Sequence, residues 1–169
     1  GLVPSVVTYN SLISTLAKAG QWEKALEIFA EMRGRGLKGD VVTFTALINA
    51  CDKGAQAPKA LELFETMHKE GLTPNVMTYS ALIGACAKGG DPDRALGIFR
   101  DVLTESLVKP DVIMYRAALG ACVPKGKWRL ARSLLQDMKD LRFRLNVQIY
   151  NDLFATFLPS GRITEATAA

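Results

Sequence analysis

The chain has little of what metal and covalent chemistry require. Among its 169 residues there is one histidine, His68, and there are three cysteines. Cys51, Cys86 and Cys122 lie 35 and 36 residues apart, a spacing that matches no zinc-ligand pattern and offers no close thiol pair. No second histidine could share a metal with His68, and no serine-base-acid pattern surrounds it. The sequence therefore points to no metal site, no cofactor and no enzyme active site. Long apolar runs are also missing, which excludes a membrane-spanning helix as the expected form. The N-terminus carries neither a secretory apolar core nor an Arg/Ser-rich transit segment. Charge of one sign does not dominate: the formal net charge is +4, with 22% charged and 49% hydrophobic residues, a folded composition and not a disordered one. The positive excess suits a polyanionic partner without requiring one.

The chain does have an internal period. Val6-Val7-Thr8-Tyr9 returns as Val41-Val42-Thr43-Phe44 and Val76-Met77-Thr78-Tyr79, then more loosely as Val112-Ile113-Met114-Tyr115 and Val147-Gln148-Ile149-Tyr150. The expected units are residues 6–40, 41–75, 76–111 and 112–146, with a truncated fifth at 147–169 and the closing turn of a preceding unit at 1–5. The third unit is one residue longer than the others, and Val108 in its closing turn is taken as the insertion. The fourth position of each unit is Tyr9, Phe44, Tyr79, Tyr115 and Tyr150. The twentieth is Ala25, Ala60, Ala95, Ala131 and Ala166. The twenty-fourth is Phe29, Phe64, Phe99 and Leu135, and the twenty-seventh Met32, Met67, Val102 and Met138. A small residue recurring mid-helix lets two helices approach, and the large ones fill the layer between them.

Each unit reads as two helices. The first is apolar at its fourth, seventh, eighth and eleventh positions, as in Tyr9, Leu12, Ile13 and Leu16. Gly20, Gly90, Gly126 and Gly161 are expected to end it. The second helix runs from about the seventeenth to the twenty-ninth position, with Pro58 and Pro92 in its opening turn, where a missing N–H costs little. The three cysteines all fall at the eleventh position, so they read as free thiols in the cores of equivalent helices. A helix pair this short cannot bury a core alone, and neighbours must stack into a solenoid. Both ends of the chain fall inside a unit, which suggests an excerpt of a longer array with uncapped ends able to self-associate or meet neighbouring domains.

The tetratricopeptide pattern wants tryptophan early in the unit, whereas Trp22 and Trp128 stand at the seventeenth position. The units instead resemble the pentatricopeptide repeat of the plain 35-residue type. The resemblance rests on Val6 to Ile13, Ala17-Lys18-Ala19-Gly20, Ala25 to Phe29 and the closing Leu37 to Asp40, and it extends over essentially the whole chain. The fourth unit departs most, through Ala118, Pro124 and Arg132. The resemblance implies an all-α, right-handed superhelical solenoid of about 4.5 repeats, with the first helices lining a concave face. It also implies a non-catalytic binder of single-stranded RNA, read at one base per repeat. The family's usual setting is the mitochondrion or chloroplast, in RNA processing, stability or translation.

By that resemblance three positions of each unit meet a base. The second gives Val7, Val42, Met77, Ile113 and Gln148, an apolar ladder suited to clamping flat bases. The fifth gives Asn10, Thr45, Ser80, Arg116 and Asn151, and the last gives Asp40, Asn75, Asp111 and Asn146. A residue in that last place is also the expected N-cap of the next helix, a role compatible with reading. Asp accepts hydrogen bonds only, which suits the imino N–H of U or G, whereas Asn can also donate, which suits A or C. A small hydroxyl at the fifth position leaves room for a purine. With the family's code this gives 5′-U-A-G-N-Y-3′, repeat 4 (Arg116 with Asn146) being unassigned. Lys18, Lys53 and Lys88 recur at the thirteenth position, where they could follow phosphates or simply complement the C-terminal end of a helix. Near Pro124 the same charge could persist through Lys125 and Lys127. The alternative function is a protein-interaction solenoid holding a peptide or helix in its groove.

Overall fold

A computed structural model of the chain describes residues 4–105 and 107–157. Among the described residues there are nine α-helices and no strand. They are α1 Val6–Lys18, α2 Trp22–Gly34, α3 Val41–Lys53, α4 Ala57–Lys69, α5 Val76–Lys88, α6 Pro92–Thr104, α7 Val112–Cys122, α8 Trp128–Asp140 and α9 Val147–Phe157. Pro124 converts the end of α7 into a 3-10 turn, Val123–Lys125.

Local chemistry sets where these helices begin and end. The odd-numbered helices α1, α3, α5 and α7 start at Ser5, Asp40, Asn75 and Asp111, whose side chains accept from the backbone N–H three residues on. In α1, α3 and α5 a threonine there (Thr8, Thr43, Thr78) reaches back to the cap's own N–H and completes a capping box. At the other end a left-handed residue turns the chain. Gly20, Ala55, Gly90 and Gly126 take φ of 72°, 53°, 88° and 55°. The N–H of the following residue then closes on the helix, as Gln21 N–H to Leu16 O, Gln56 N–H to Cys51 O, Asp91 N–H to Cys86 O and Lys127 N–H to Cys122 O, at 2.9 to 3.0 Å. Gly161 and Ala166 lie outside the described residues.

The first helices α1, α3, α5, α7 and α9 pack side by side as one layer. Each second helix packs on its own first helix and on the first helix of the next unit. Ala25, Ala60, Ala95 and Ala131 are fully buried where the two layers meet, as are Met32, Met67, Val102 and Met138. Successive units are stitched by an aromatic pair of fixed register. Phe29 meets Phe44 edge-on at 5.4 Å, Phe64 meets Tyr79 at 5.4 Å, and Phe99 meets Tyr115 at 5.1 Å. Such pairs add about 0.5–1.5 kcal/mol beyond their burial. Leu135 replaces the phenylalanine at the next interface, and there Tyr150 is left 37% exposed. The chain between α6 and α7 is one residue longer than between α2 and α3 or between α4 and α5, so the insertion lies in that turn. Cys51, Cys86 and Cys122 are buried free thiols, each pushed up to about 11 by burial. No described helix is long and apolar enough to cross a membrane.

Candidate nucleic-acid interface

The second position of each first helix faces away from the interhelical layer. Val7, Val42, Met77 and Ile113 are 73%, 57%, 61% and 57% exposed. Four bare apolar side chains in a row, one per helix, are costly to leave in water and unneeded by the core. The fifth member, Gln148, is exposed and donates to Asp152 at 3.1 Å.

Beside this ladder run the polar pairs, and every cap has the same inner geometry. Asp40 Oδ1 accepts from Thr43 N–H at 2.9 Å, Asn75 Oδ1 from Thr78 N–H at 3.0 Å, Asp111 Oδ1 from Met114 N–H at 2.9 Å and Asn146 Oδ1 from Ile149 N–H at 3.1 Å. The capping role expected of these residues is therefore real at all four. One atom of each cap is held by the helix; the other is left outside that capping bond, and in Asp40 it accepts from Asn10 Nδ2 at 3.2 Å. That second atom is a carboxylate oxygen in Asp40 and Asp111, and an amide nitrogen in Asn75 and Asn146.

The fifth-position residues differ in how they meet the caps. Asn10, 8% exposed, donates from Nδ2 to both oxygens of Asp40 at 3.0 and 3.2 Å. Thr45 shares a hydrogen bond of 2.8 Å with the Thr78 hydroxyl. Ser80 donates to the carbonyl of Val76 in its own helix at 2.8 Å. Arg116 and Asn151 are exposed. Partial burial raises the Asp40 carboxyl, but hydrogen bonds from the Thr43 backbone and hydroxyl, Asn10 and Val42 outweigh it and hold the group below its ordinary value. Asp40 is thus an ionised acceptor at neutral pH. A cavity of about 590 Å³ opens on this face, lined by Ser80, Ile113, Arg116 and Asp152 among others.

The repeated lysines are exposed at the ends of α1, α3 and α5, and two of them have protein partners. Lys53 donates to the Lys18 carbonyl at 2.8 Å, capping the neighbouring helix end, and Lys88 spans the carboxylate of Asp52 at 2.9 and 3.0 Å. Lys125 and Lys127 both converge on Asp93 of α6, so in the fourth unit this charge is committed to an ion pair. Asp52 escaped the sequence reading. Its signal was an acid where the other units carry Ala17, Ala87 and Val123, together with Gly84, at which a Cβ would lie 2.3 Å from Asp52 Oδ1. In the sequence Thr43 and Thr78 stand out only as part of the repeat echo, although their buried hydroxyls join cap to fifth position.

Comparison with known proteins decides the family. The profile described as "Pentatricopeptide repeat domain" matches residues 31–89 and 97–159, that described as "PPR repeat family" matches 4–53, and "PPR repeat" matches 77–107. The chain belongs to the pentatricopeptide repeat family. Among solved structures it is similar to the pentatricopeptide repeat protein PPR10 in complex with an 18-nt psaJ RNA element, at 28% identity and a TM-score of 0.80 over 99% of this chain. It spans 24% of that protein's length. The PPR domain of Arabidopsis thaliana protein-only RNase P 1, in complex with tRNA, matches over 100% of this chain and 83% of its own at 19% identity and a TM-score of 0.73. That second likeness concerns the fold. No curated protein sequence matches significantly.

Proposed function

We propose that this pentatricopeptide repeat chain is a non-catalytic, sequence-selective binder of single-stranded RNA, reading one base per repeat along the exposed face of α1, α3, α5, α7 and α9. The observation that carries the reading is the exposed ladder of Val7, Val42, Met77 and Ile113 beside helix caps that alternate between Asp and Asn. Apolar side chains one repeat apart grip the π-faces of successive bases, a contact worth about 1–3 kcal/mol per base when aromatic groups make it, and less with aliphatic ones. The caps supply discrimination. Asp40 and Asp111 present an acceptor to an imino N–H, whereas Asn75 presents donors to a ring nitrogen. Asn10 restricts the first site to a pyrimidine, and Thr45 and Ser80 leave room for purines, which gives U, A and G in turn and a pyrimidine at Asn151. Lys18, Lys53 and Lys88 lie along the path of the phosphates. Lys88 is held by Asp52, whose side chain is only 17% exposed, so of the three it is the least free to meet a phosphate. The RNA complex of PPR10 supports the same use of the fold here. As in the family at large, the role would be in RNA processing, stability or translation in a mitochondrion or chloroplast.

Fluorescence anisotropy with short RNAs carrying UAG, its permutations and the matching DNA, at low and moderate salt, tests the proposal. Tighter binding to UAG than to permuted RNA is the expected result. The double change Thr45→Asn with Asn75→Asp should move the second-base preference from A to U. Salt-sensitive binding indifferent to sequence would remove the base assignments, and absence of RNA binding at low salt would turn attention to a protein partner.

A further inference from the structure

The third residue of each first helix divides the repeats into two kinds. In α3 it is Thr43, fully buried, whose hydroxyl oxygen lies 2.5 Å from Asn10 Oδ1, 2.9 Å from Asp40 Oδ1 and 3.0 Å from the Asp40 amide nitrogen. In α5 it is Thr78, also fully buried, 2.8 Å from the Thr45 hydroxyl, 3.1 Å from Asn75 Oδ1 and 3.3 Å from the Asn75 amide nitrogen. One hydroxyl thus ties the last residue of a repeat to the fifth residue of that same repeat, although it belongs to the next. In α7 and α9 the place is taken by Met114 and Ile149, both fully buried and unable to make such a tie. There Asp111 and Asn146 still cap their helices, while Ser80 turns its hydroxyl to its own helix and Arg116 is exposed.

We infer that Thr43 and Thr78 are positioning residues that latch the base-reading pairs of repeats 1 and 2, so that these two repeats discriminate between bases more sharply than repeats 3 and 4. The inference rests on the RNA-reading proposal above. At Asn10 the latch fixes the amide in one sense. The carboxylate of Asp40 accepts only, so Nδ2 must face it, and Oδ1 is left to take the Thr43 proton. Asp40 Oδ2 accepts from Nδ2 at 3.2 Å and keeps a further lone pair, so this lone pair and the second N–H of Asn10 together offer an acceptor and a donor, the complement of a uracil N3–H and carbonyl. Cytosine, with an acceptor at N3, meets the Asp40 oxygen as acceptor against acceptor. Without the hydroxyl, the Asn10 carbonyl loses its inner partner and the amide can swing, so the donor is no longer held against the base. At Thr45 the latch similarly fixes a hydroxyl rotor that would otherwise adapt to any purine edge. Preorganised polar groups discriminate because a wrong base leaves them unpaired, and mobile ones can evade that penalty.

The test is competition binding of the full chain to UAG RNA against CAG RNA, and against RNAs changed at the second base, for the unaltered chain, Thr43→Val, Thr43→Ser and Thr78→Val. Thr43→Val keeps the shape and removes the hydroxyl, and should lower the U-over-C ratio at the first base about fivefold, the equivalent of one ordinary hydrogen bond. The second-base preference should hold. Thr43→Ser should restore the ratio, and Thr78→Val should relax the second base while sparing the first. A purely structural threonine would weaken binding to all RNAs alike and leave the ratios unmoved, which would overturn the latch and leave base reading standing. An unaltered chain with no first- or second-base preference would overturn both.

Discussion

Ala55 occupies a backbone conformation that the equivalent turns after α1, α5 and α7 assign to glycine, and the repeat supplies its own control. At φ 53° it turns α3 into α4 as Gly20, Gly90 and Gly126 turn the equivalent helices. An L-residue in the left-handed region costs roughly 1–2 kcal/mol. Replacing it with glycine returns that strain but gives the unfolded chain more freedom, about 0.4–1 kcal/mol. Ala55→Gly should therefore stabilise the fold by about 1 kcal/mol, which for a chain of this length raises the melting midpoint by about 2–4 °C. Ala55 lies outside both helices, so no helical propensity is lost. Arg142, at φ 56°, stands at the corresponding turn after α8, where the first two units have Gly36 and Gly71. Arg142→Gly should add a similar increment, and because the two turns are distant the gains should sum. The converse is Gly20→Ala. Nothing lies within 4 Å of the place its new methyl group would take, so its loss of stability measures backbone strain alone. Thermal and urea unfolding followed by circular dichroism reads all three. A lowered midpoint for Ala55→Gly, with Gly20→Ala unchanged, would refute the assignment of these turns.

Other expectations follow from packing and charge. Ala60→Leu forces a larger side chain into a fully buried helix contact and should cost about 1–3 kcal/mol in urea unfolding; an unchanged midpoint would contradict the register of the two layers. Phe99→Leu removes the edge-on pair with Tyr115 and should destabilise by about 1–2 kcal/mol, a loss that a Tyr115→Leu background should reduce in a double-mutant cycle. Hydrogen bonds from Lys125, then Lys127, hold the Asp93 carboxyl down at about 2 against an ordinary 3.8. Its pKa is lowered in the fold, so the stabilisation it gives is present above the ordinary value and lost as pH falls toward 2. The difference in melting midpoint between the native chain and Asp93→Asn should accordingly be present at pH 5 and gone near pH 2. With all three thiols buried and raised to about 11, Ellman's reagent at pH 8 should find none until the chain unfolds; rapid labelling of any one would place that cysteine outside the core.

The sequence made the helices legible because each level of chemistry repeats in step. A cap, an aromatic, an alanine and a turn glycine recur together, so the period could be found without knowing any contact. Interactions between unlike residues were harder to see. The tie from Thr43 to Asn10 joins residues 33 apart, and Asp52 reaches Lys88 only because Gly84 makes room. Nothing in a period of about 35 announces which side chains face one another across it. The lysines show the same limit from the other side. Lys18, Lys53 and Lys88 look equivalent in the sequence, but Lys53 rests on a carbonyl and Lys88 on a carboxylate. The partner was decided by Asp52, a departure from the repeat.

The caps explain how such a chain could vary its reading without disturbing its fold. Asp and Asn serve almost equally well in front of a helix, because each offers one oxygen to the N–H three residues on. The helix is indifferent to what stands on the other branch of the same side chain. In Asp40 that branch is an oxygen that accepts, and in Asn75 a nitrogen that donates. Exchanging one for the other reverses the polarity offered to a ligand while leaving the start of the next helix intact. Asn75→Asp, at a cap whose other branch has among the described residues no such neighbour as Asn10 gives Asp40, should therefore leave the melting midpoint of this chain nearly unchanged, even though it exchanges a donor for an acceptor on the proposed reading face. If that substitution instead unfolds α5 while leaving RNA selectivity alone, the cap is a structural device only, and the alternation of Asp and Asn carries no message.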